Sequence, residues 1–181
     1  LHPRKRVKFV GPLTIGGTAA QTLLLEYVDG KPMADVGWGR ASAADIVLMS
    51  AIHAAEFDLL ARPPYIADRA ATSIMQRVLA VFAATDAPRL TVLVGHDTNV
   101  ANVGGMLDLH WQAPGYAADD PAVNGALGWE LLGNAAGEQF VRVFYQAQGT
   151  QQLRDLQPLD ADHPPYLAYL PQPLCGLPRD A

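Results

Sequence analysis

The sequence predicts an α/β protein, a layered sheet with flanking helices, and three observations carry that prediction. Leu90, Val92, Leu93 and Val94 form a short bulky, largely β-branched run of the kind that builds a buried strand. Long segments before it, and one directly after it, return apolar residues at helical spacing. Further on, two strand-like runs flank the turn "GNAAGE", which reads as a hairpin. Helices, a buried strand and a hairpin within 181 residues, 50% of them hydrophobic, make one layered domain spanning residues 1–181.

Taken in chain order, the first helix follows "VGPLTIGG" and runs over about residues 18–28 through Leu23, Leu24, Leu25 and Tyr27, until "DGKP" stops it. Ser42 is a plausible N-cap for a second helix, whose Ile46, Val47, Met49, Ile52, Phe57 and Leu60 keep the helical interval up to "ARPP". A third spans about residues 65–84, with Ile66, Ala70, Ile74, Val78, Leu79 and Phe82 on its inner side. The buried strand then leads into a fourth helix, residues 98–107, marked by Val100, Val103, Met106 and Leu107. Gly104 and Gly105 fall inside that helix, where close packing is the reason for them. A Pro/Gly/Asp loop at 112–125 precedes the hairpin strands 126–132 and 139–145. "GTQQLRDL" (149–156) reads as a short helix and "PYLAYL" (165–170) as a last strand.

The net charge of −5 argues against a nucleic-acid or anionic-membrane surface, because those need basic patches. The one basic cluster, "PRKRVK" at 3–8, reads as an exposed, solvated end. No apolar run approaches the length of a bilayer-spanning helix, and the N-terminus carries no signal-peptide pattern. The first residue is Leu1, so the chain is expected to be processed or cut from something longer. Cys175 is the single cysteine and has no partner within the chain.

Chemistry concentrates in the turn between the expected strand and the fourth helix. At the carboxyl end of a strand, side chains project into the crevice where ligands bind. The free N–H groups opening the next helix point into the same space and favour an anion. His96 and Asp97 stand there. An equally direct reading of Asp97 or Thr98 is a helix cap, its oxygen accepting from an N–H two or three residues on. Of the other histidines, His53 reads as packed or hydrogen-bonded on a helix, while His2, His110 and His163 carry no spacing signal. Zinc, calcium, P-loop and GxSxG patterns are absent, and no metal or other cofactor is expected.

"VGHDTNVANVGGML", with Trp111 after it and a Pro/Gly loop ending in "NGALGWELL", resembles the C-terminal half of bacterial histidine acid phosphatases, the branch of periplasmic phytases and glucose-1-phosphatase. "GPLTIGG", "DGKPMADVGWGR", "HAAEFDLLARPPYIADRAATSIM" and "VFYQAQGTQQLRD" are similar to successive segments of that family, so the resemblance covers about residues 10–176. It implies the phosphoglycerate-mutase-like histidine phosphatase fold and hydrolysis of phosphomonoesters, inositol or sugar phosphates, through a phosphohistidine. In that mapping His96 donates a hydrogen bond to a phosphoryl oxygen, Asp97 is the general acid for the leaving alcohol, and Thr98 and Gln21 line the substrate site. Gln21 stands where phytases of this branch carry Glu.

The family's nucleophile lies in an RHGxRxP motif, and no RHG occurs here; "LHPRKR" puts His2 near arginines without the glycine or the spacing. The resemblance therefore implies a missing N-terminal segment of the same enzyme as a partner, an inactive 181-residue chain, and a periplasmic or secreted location. Two rival readings follow from the residues: a non-catalytic phosphate-binding fragment, and a metal-dependent HD-type phosphohydrolase that recruits His53.

Overall fold

The computed structural model describes residues 11–171. His2, the basic cluster at 3–8 and Cys175 lie outside the described residues. Helix α1 (Pro12–Val28) starts earlier than the apolar spacing indicated, because Pro12 sits at a helix start, where its missing N–H costs nothing. Its buried stripe is Gly17, Ala20, Leu24 and Tyr27, and Gly30, at φ +78°, takes the chain out. A short 3-10 turn, Val36–Gly39, was not anticipated. Gly37, Trp38 and Gly39 are all left-handed there, and the Glu26 carboxylate accepts from the Gly37 N–H at 3.1 Å.

Ser42 caps α2 (Ala43–Leu60) as its sequence position implied. The Ser42 hydroxyl oxygen accepts from the Asp45 N–H at 3.2 Å, and the Asp45 carboxylate accepts from the Ser42 N–H at 2.8 Å. Helix α3 (Pro64–Ala83) begins at the second proline of "RPP" and packs on α4 (Asp97–Met106). The paired glycines of α4 do serve close packing. A Cβ on Gly105 would strike the Arg62 backbone, and one on Gly104 would strike the Arg62 guanidinium and the Trp111 ring. Arg62 is itself buried; it donates to the Leu109 carbonyl at 2.9 Å and lies 5.4 Å from the Trp111 ring centroid.

The hairpin forms as expected. Strands β1 (Ala126–Gly133) and β2 (Gln139–Ala147) pair antiparallel with Trp129 opposite Val143, and β3 (Tyr166–Leu170) adds to β2 with Leu170 opposite Val143. The short helix α5 (Thr150–Arg154) joins β2 to β3. The core gathers where this sheet meets the loop after α4: Leu24, Tyr27, Val36, Ile46, Leu109, Trp111, Tyr116, Val143, Tyr145 and Leu170 are buried together. Trp111 stacks on Tyr145 at 4.5 Å and 18°, and the Tyr145 hydroxyl accepts from the buried Ala122 N–H at 2.8 Å. Burial pushes the Tyr145 phenol well above its ordinary range and the Tyr116 phenol up to about 12.

One expectation is overturned. Residues 90–94 do not form a strand, and they are not buried: Leu90 is 77% exposed, Val92 70% and Val94 95%. The sheet is instead a small antiparallel one of order β1-β2-β3, elsewhere in the chain. A bulky, β-branched run records how strongly a segment favours an extended, covered position. Pairing and cover must come from neighbours, and among the described residues no strand lies beside this one.

Candidate active site

The turn at 95–98 is built by the start of α4. His96 occupies the N-cap with extended backbone (φ −121°, ψ 167°). Its N–H donates to Asn99 Oδ1 at 2.9 Å, and the Asn99 N–H donates to the His96 carbonyl at 2.9 Å, so the capping work falls to Asn99 and the imidazole stays at the surface. Asp97, the first helical residue, accepts on Oδ1 from the Thr98 N–H at 2.5 Å and from the Thr98 hydroxyl at 3.1 Å. Those bonds are to the adjacent residue. The cap expected of Asp97 or Thr98, to an N–H two or three residues on, is therefore not the one made. His96, Asp97 and Thr98 are all solvent-exposed.

The structure does not gather all the sequence candidates. Gln21 is half-buried midway along α1, and no hydrogen bond links it to His96, Asp97 or Thr98. Two shallow depressions, of about 640 and 560 Å³, meet at Tyr27 and lie along the Met33–Asp45 segment and beside Pro114–Gly115; neither is lined by the 96–98 turn. The turn faces solvent directly.

Between α2 and the loop after α4 lies a buried pair that the sequence did not disclose in full. His53 is buried on α2, as its packed reading required, with Nδ1 2.7 Å from Asp120 Oδ1 and its ring edge-on to Phe57 at 4.6 Å. Asp120 is 1% exposed. Burial pushes its carboxyl above the usual carboxylate range, His53 pulls the other way through its hydrogen bond and charge, and the charge of Asp97 adds to the upward push. A buried histidine on an apolar helix face demands a partner. Nothing in "AADDPAV" says which of two adjacent aspartates supplies it. Asp119 has other work, accepting from the Trp111 N–H at 2.9 Å and contacting His110 Nδ1 at 2.6 Å and Arg62 at 3.4 Å. Among the described residues no three His, Cys, Asp or Glu side chains converge as metal ligands, and no helix is long and apolar enough to cross a membrane.

An imidazole and a carboxylate thus stand side by side at the N-terminus of a ten-residue helix, whose Thr98 N–H is taken by Asp97 and whose Asn99 N–H is taken by the His96 carbonyl. The chain is homologous to the histidine acid phosphatases known as phytases and glucose-1-phosphatases. Phytase AppA of Escherichia coli is 30% identical over 174 residues, a match that takes in 88% of this chain and 39% of the relative. The glucose-1-phosphatase of Salmonella typhimurium is 29% identical over 180 residues, 94% of this chain and 42% of the relative. Among solved structures, the Citrobacter braakii phytase superposes with a TM-score of 0.83 at 26% identity over 94% of this chain and 45% of that one. Hafnia alvei phytase in complex with myo-inositol hexakis sulphate superposes at 0.77 with 31% identity, over 92% and 43%. No family model matches. The chain thus spans about two fifths of the length of the curated relatives it matches.

Proposed function

We propose that this chain is the C-terminal portion of a periplasmic or secreted histidine acid phosphatase that hydrolyses phosphomonoesters, phytate or sugar phosphates, through a phosphohistidine. The observation that carries the reading is the pairing of His96 and Asp97 across the N-terminus of α4, in a chain homologous to phytases and glucose-1-phosphatases. The sulphate esters held by the Hafnia alvei phytase are stable mimics of phosphate esters, which supports an inositol phosphate as one substrate class.

In this reading a histidine supplied by the remainder of the polypeptide attacks phosphorus. His96 donates a hydrogen bond to a phosphoryl oxygen as charge spreads over the transferring group. The P–O bond to the alcohol breaks, and Asp97 gives its proton to the departing oxygen. Water then attacks the phosphohistidine, loses a proton to the Asp97 carboxylate, and releases phosphate with the histidine restored. Thr98 and Gln21 contribute to the substrate side. No step uses a metal ion. The exposed run at 90–94 is, in the same reading, a strand whose neighbours belong to that remainder.

The test is to assay the 181-residue chain and the longer natural polypeptide containing it on an aryl phosphate, with and without a chelator. The expected outcome is hydrolysis by the long form, abolished by His96→Ala and indifferent to the chelator, and no turnover by the short form. Phosphate binding without turnover in both forms would make this a binding domain, and loss of activity with the chelator would move it to the metal-dependent HD class.

A further inference from the structure

Arg62, in the link between α2 and α3, has no part in the reaction just described, yet its side chain is only 8% exposed. A buried guanidinium is a costly way to hold a fold together, since an apolar side chain of similar volume often does so as well. What the planar fork supplies instead is direction. Its Nε stands 3.3 Å from Asp58 Oδ1, and Nη2 donates to the Leu109 carbonyl at 2.9 Å while lying 3.4 Å from Asp119 Oδ2 and 3.4 Å from His110 Nδ1. Nη1 is buried without a hydrogen-bond partner, at a place where a Cβ on Gly104 would strike it. The Arg62 main chain meets Gly105 as closely. Side chain and backbone of one residue thus grip the last turn of α4 and the residues that leave it.

The first turn of α4 is held differently. Among the described residues, the hydrogen bonds that shape the 96–98 turn close within residues 96–100: the His96 N–H to Asn99, the Thr98 N–H and hydroxyl to Asp97, and the Asn99 and Val100 N–H groups to the His96 carbonyl. The direction in which the turn points is therefore set by how the rest of the helix is seated. We propose that Arg62 is a positioning residue for His96 and Asp97: it seats the last turn of α4 so that the first turn presents both side chains at a fixed place. The inference rests on the reading of those two residues as phosphate ligand and general acid. Helix α3 packs along α4 too, but packed helices slide on one another by small amounts, whereas a fork on a carbonyl has one geometry. From Gly105 back to Asp97 is about 12 Å of helix axis, so a tilt of about 5° at the seat carries the first turn about 1 Å. A misplacement of about 1 Å costs a reaction about 10²-fold. The helix is the arm, and the guanidinium lies at its pivot.

A distance between two spin labels reads the seat without any activity. The labels go on Thr98→Cys in α4 and on Ala51→Cys, an exposed position of α2, in the 181-residue chain with Cys175→Ser. A single narrow distance distribution is expected, which Arg62→Lys, keeping the charge but losing the fork, shifts or broadens; an unchanged distribution overturns the proposal. Kinetics of the longer natural polypeptide, well below the melting transition of each variant, give the second arm. Arg62→Lys is expected to slow an alkyl phosphate by about 10- to 100-fold and a nitrophenyl phosphate by less, because only the alkyl ester needs the proton of Asp97 as well as the hydrogen bond of His96. A smaller folded fraction lowers both rates by one factor. Unchanged rates, or an unchanged ratio of the two where Asp97→Asn does change it, overturn the proposal and leave Arg62 a stabilising residue only. Should Arg62→Lys fold poorly, Gly104→Ala pushes the helix off the same guanidinium and is read identically. If Asp97→Asn slows both esters alike, the general-acid reading fails, and the spin-label distance still decides whether Arg62 seats α4.

Discussion

Replacing Asp97 by Asn separates a proton donor from a piece of helix architecture. Asn preserves the side chain's size and keeps an oxygen to accept from the Thr98 N–H and hydroxyl, so the local bonds survive. What the fold loses is a carboxylate in the first turn of α4, an interaction with the helix dipole that is worth about 0.3–1 kcal/mol at an exposed site. Since Asn99, not Asp97, closes the cap, no further structural cost accrues. What the reaction loses is the transferable proton, and general acid catalysis contributes a factor of about 10² to 10⁴. At ~1.4 kcal/mol per decade that is about 3–5.5 kcal/mol, several times the structural cost, so the rate loss stands clear of any melting effect. The assay is steady-state hydrolysis of an alkyl phosphate and a nitrophenyl phosphate by the longer natural polypeptide, with phosphate inhibition measured alongside. The alkyl ester should slow by the full factor and the nitrophenyl ester, whose leaving group departs without a proton, by much less, with phosphate affinity intact. Equal slowing of both esters together with weakened phosphate binding would refute the argument and make Asp97 structural.

Three further outcomes follow from packing and electrostatics. Gly105→Ala should cost about 1–3 kcal/mol in urea unfolding, because its Cβ meets Arg62 main chain that cannot swing aside; a neutral result would mean the α3–α4 contact is looser than the structure shows. Tyr145→Phe leaves the buried Ala122 N–H without its acceptor and should cost about 1–3 kcal/mol, read as a lowered melting temperature. Asp45 is held below the ordinary aspartate range, first by the Ser42 hydroxyl and then by the Ser42 N–H. Its capping contribution is therefore present above the ordinary value and lost as pH falls through the lowered one. The stability gap between wild type and Asp45→Asn, followed by thermal melts, should close on acidification and stay constant above neutrality.

Elements that rely on their own sequence were the legible ones. Helix α2 announces itself through Ser42 and a periodic apolar stripe, and the hairpin through two runs around "GNAAGE"; both depend on neighbours within a few residues. Residues 90–94 show the opposite case. Their composition is that of a covered strand, but cover is a property of whatever surrounds the segment, and the described residues do not supply it. The left-handed Gly37–Gly39 turn escaped because Trp38 adopts a φ that its side chain disfavours, sustained by the Glu26–Gly37 bond from another element. His96 and Asp97 were singled out by a position between an expected strand and a helix, of which the helix forms and the strand does not. Asp120 was not, since its 67-residue separation from His53 is bridged only by the fold.

The open backbone of residues 90–95 also bears on how the chain behaves in a test tube. An uncharged, exposed stretch rich in β-branched residues, outside any strand, is a template for identical copies of itself. Pro88 and Arg89 stand immediately upstream, a ring that cannot donate and a charge that resists stacking, and the Asp97 carboxylate lies two residues beyond the other end. Expressed without further polypeptide, the chain is therefore headed toward self-association through this edge, at a rate that rises with concentration. A single lysine in place of Val92 or Val94 would be the economical way to keep it in solution.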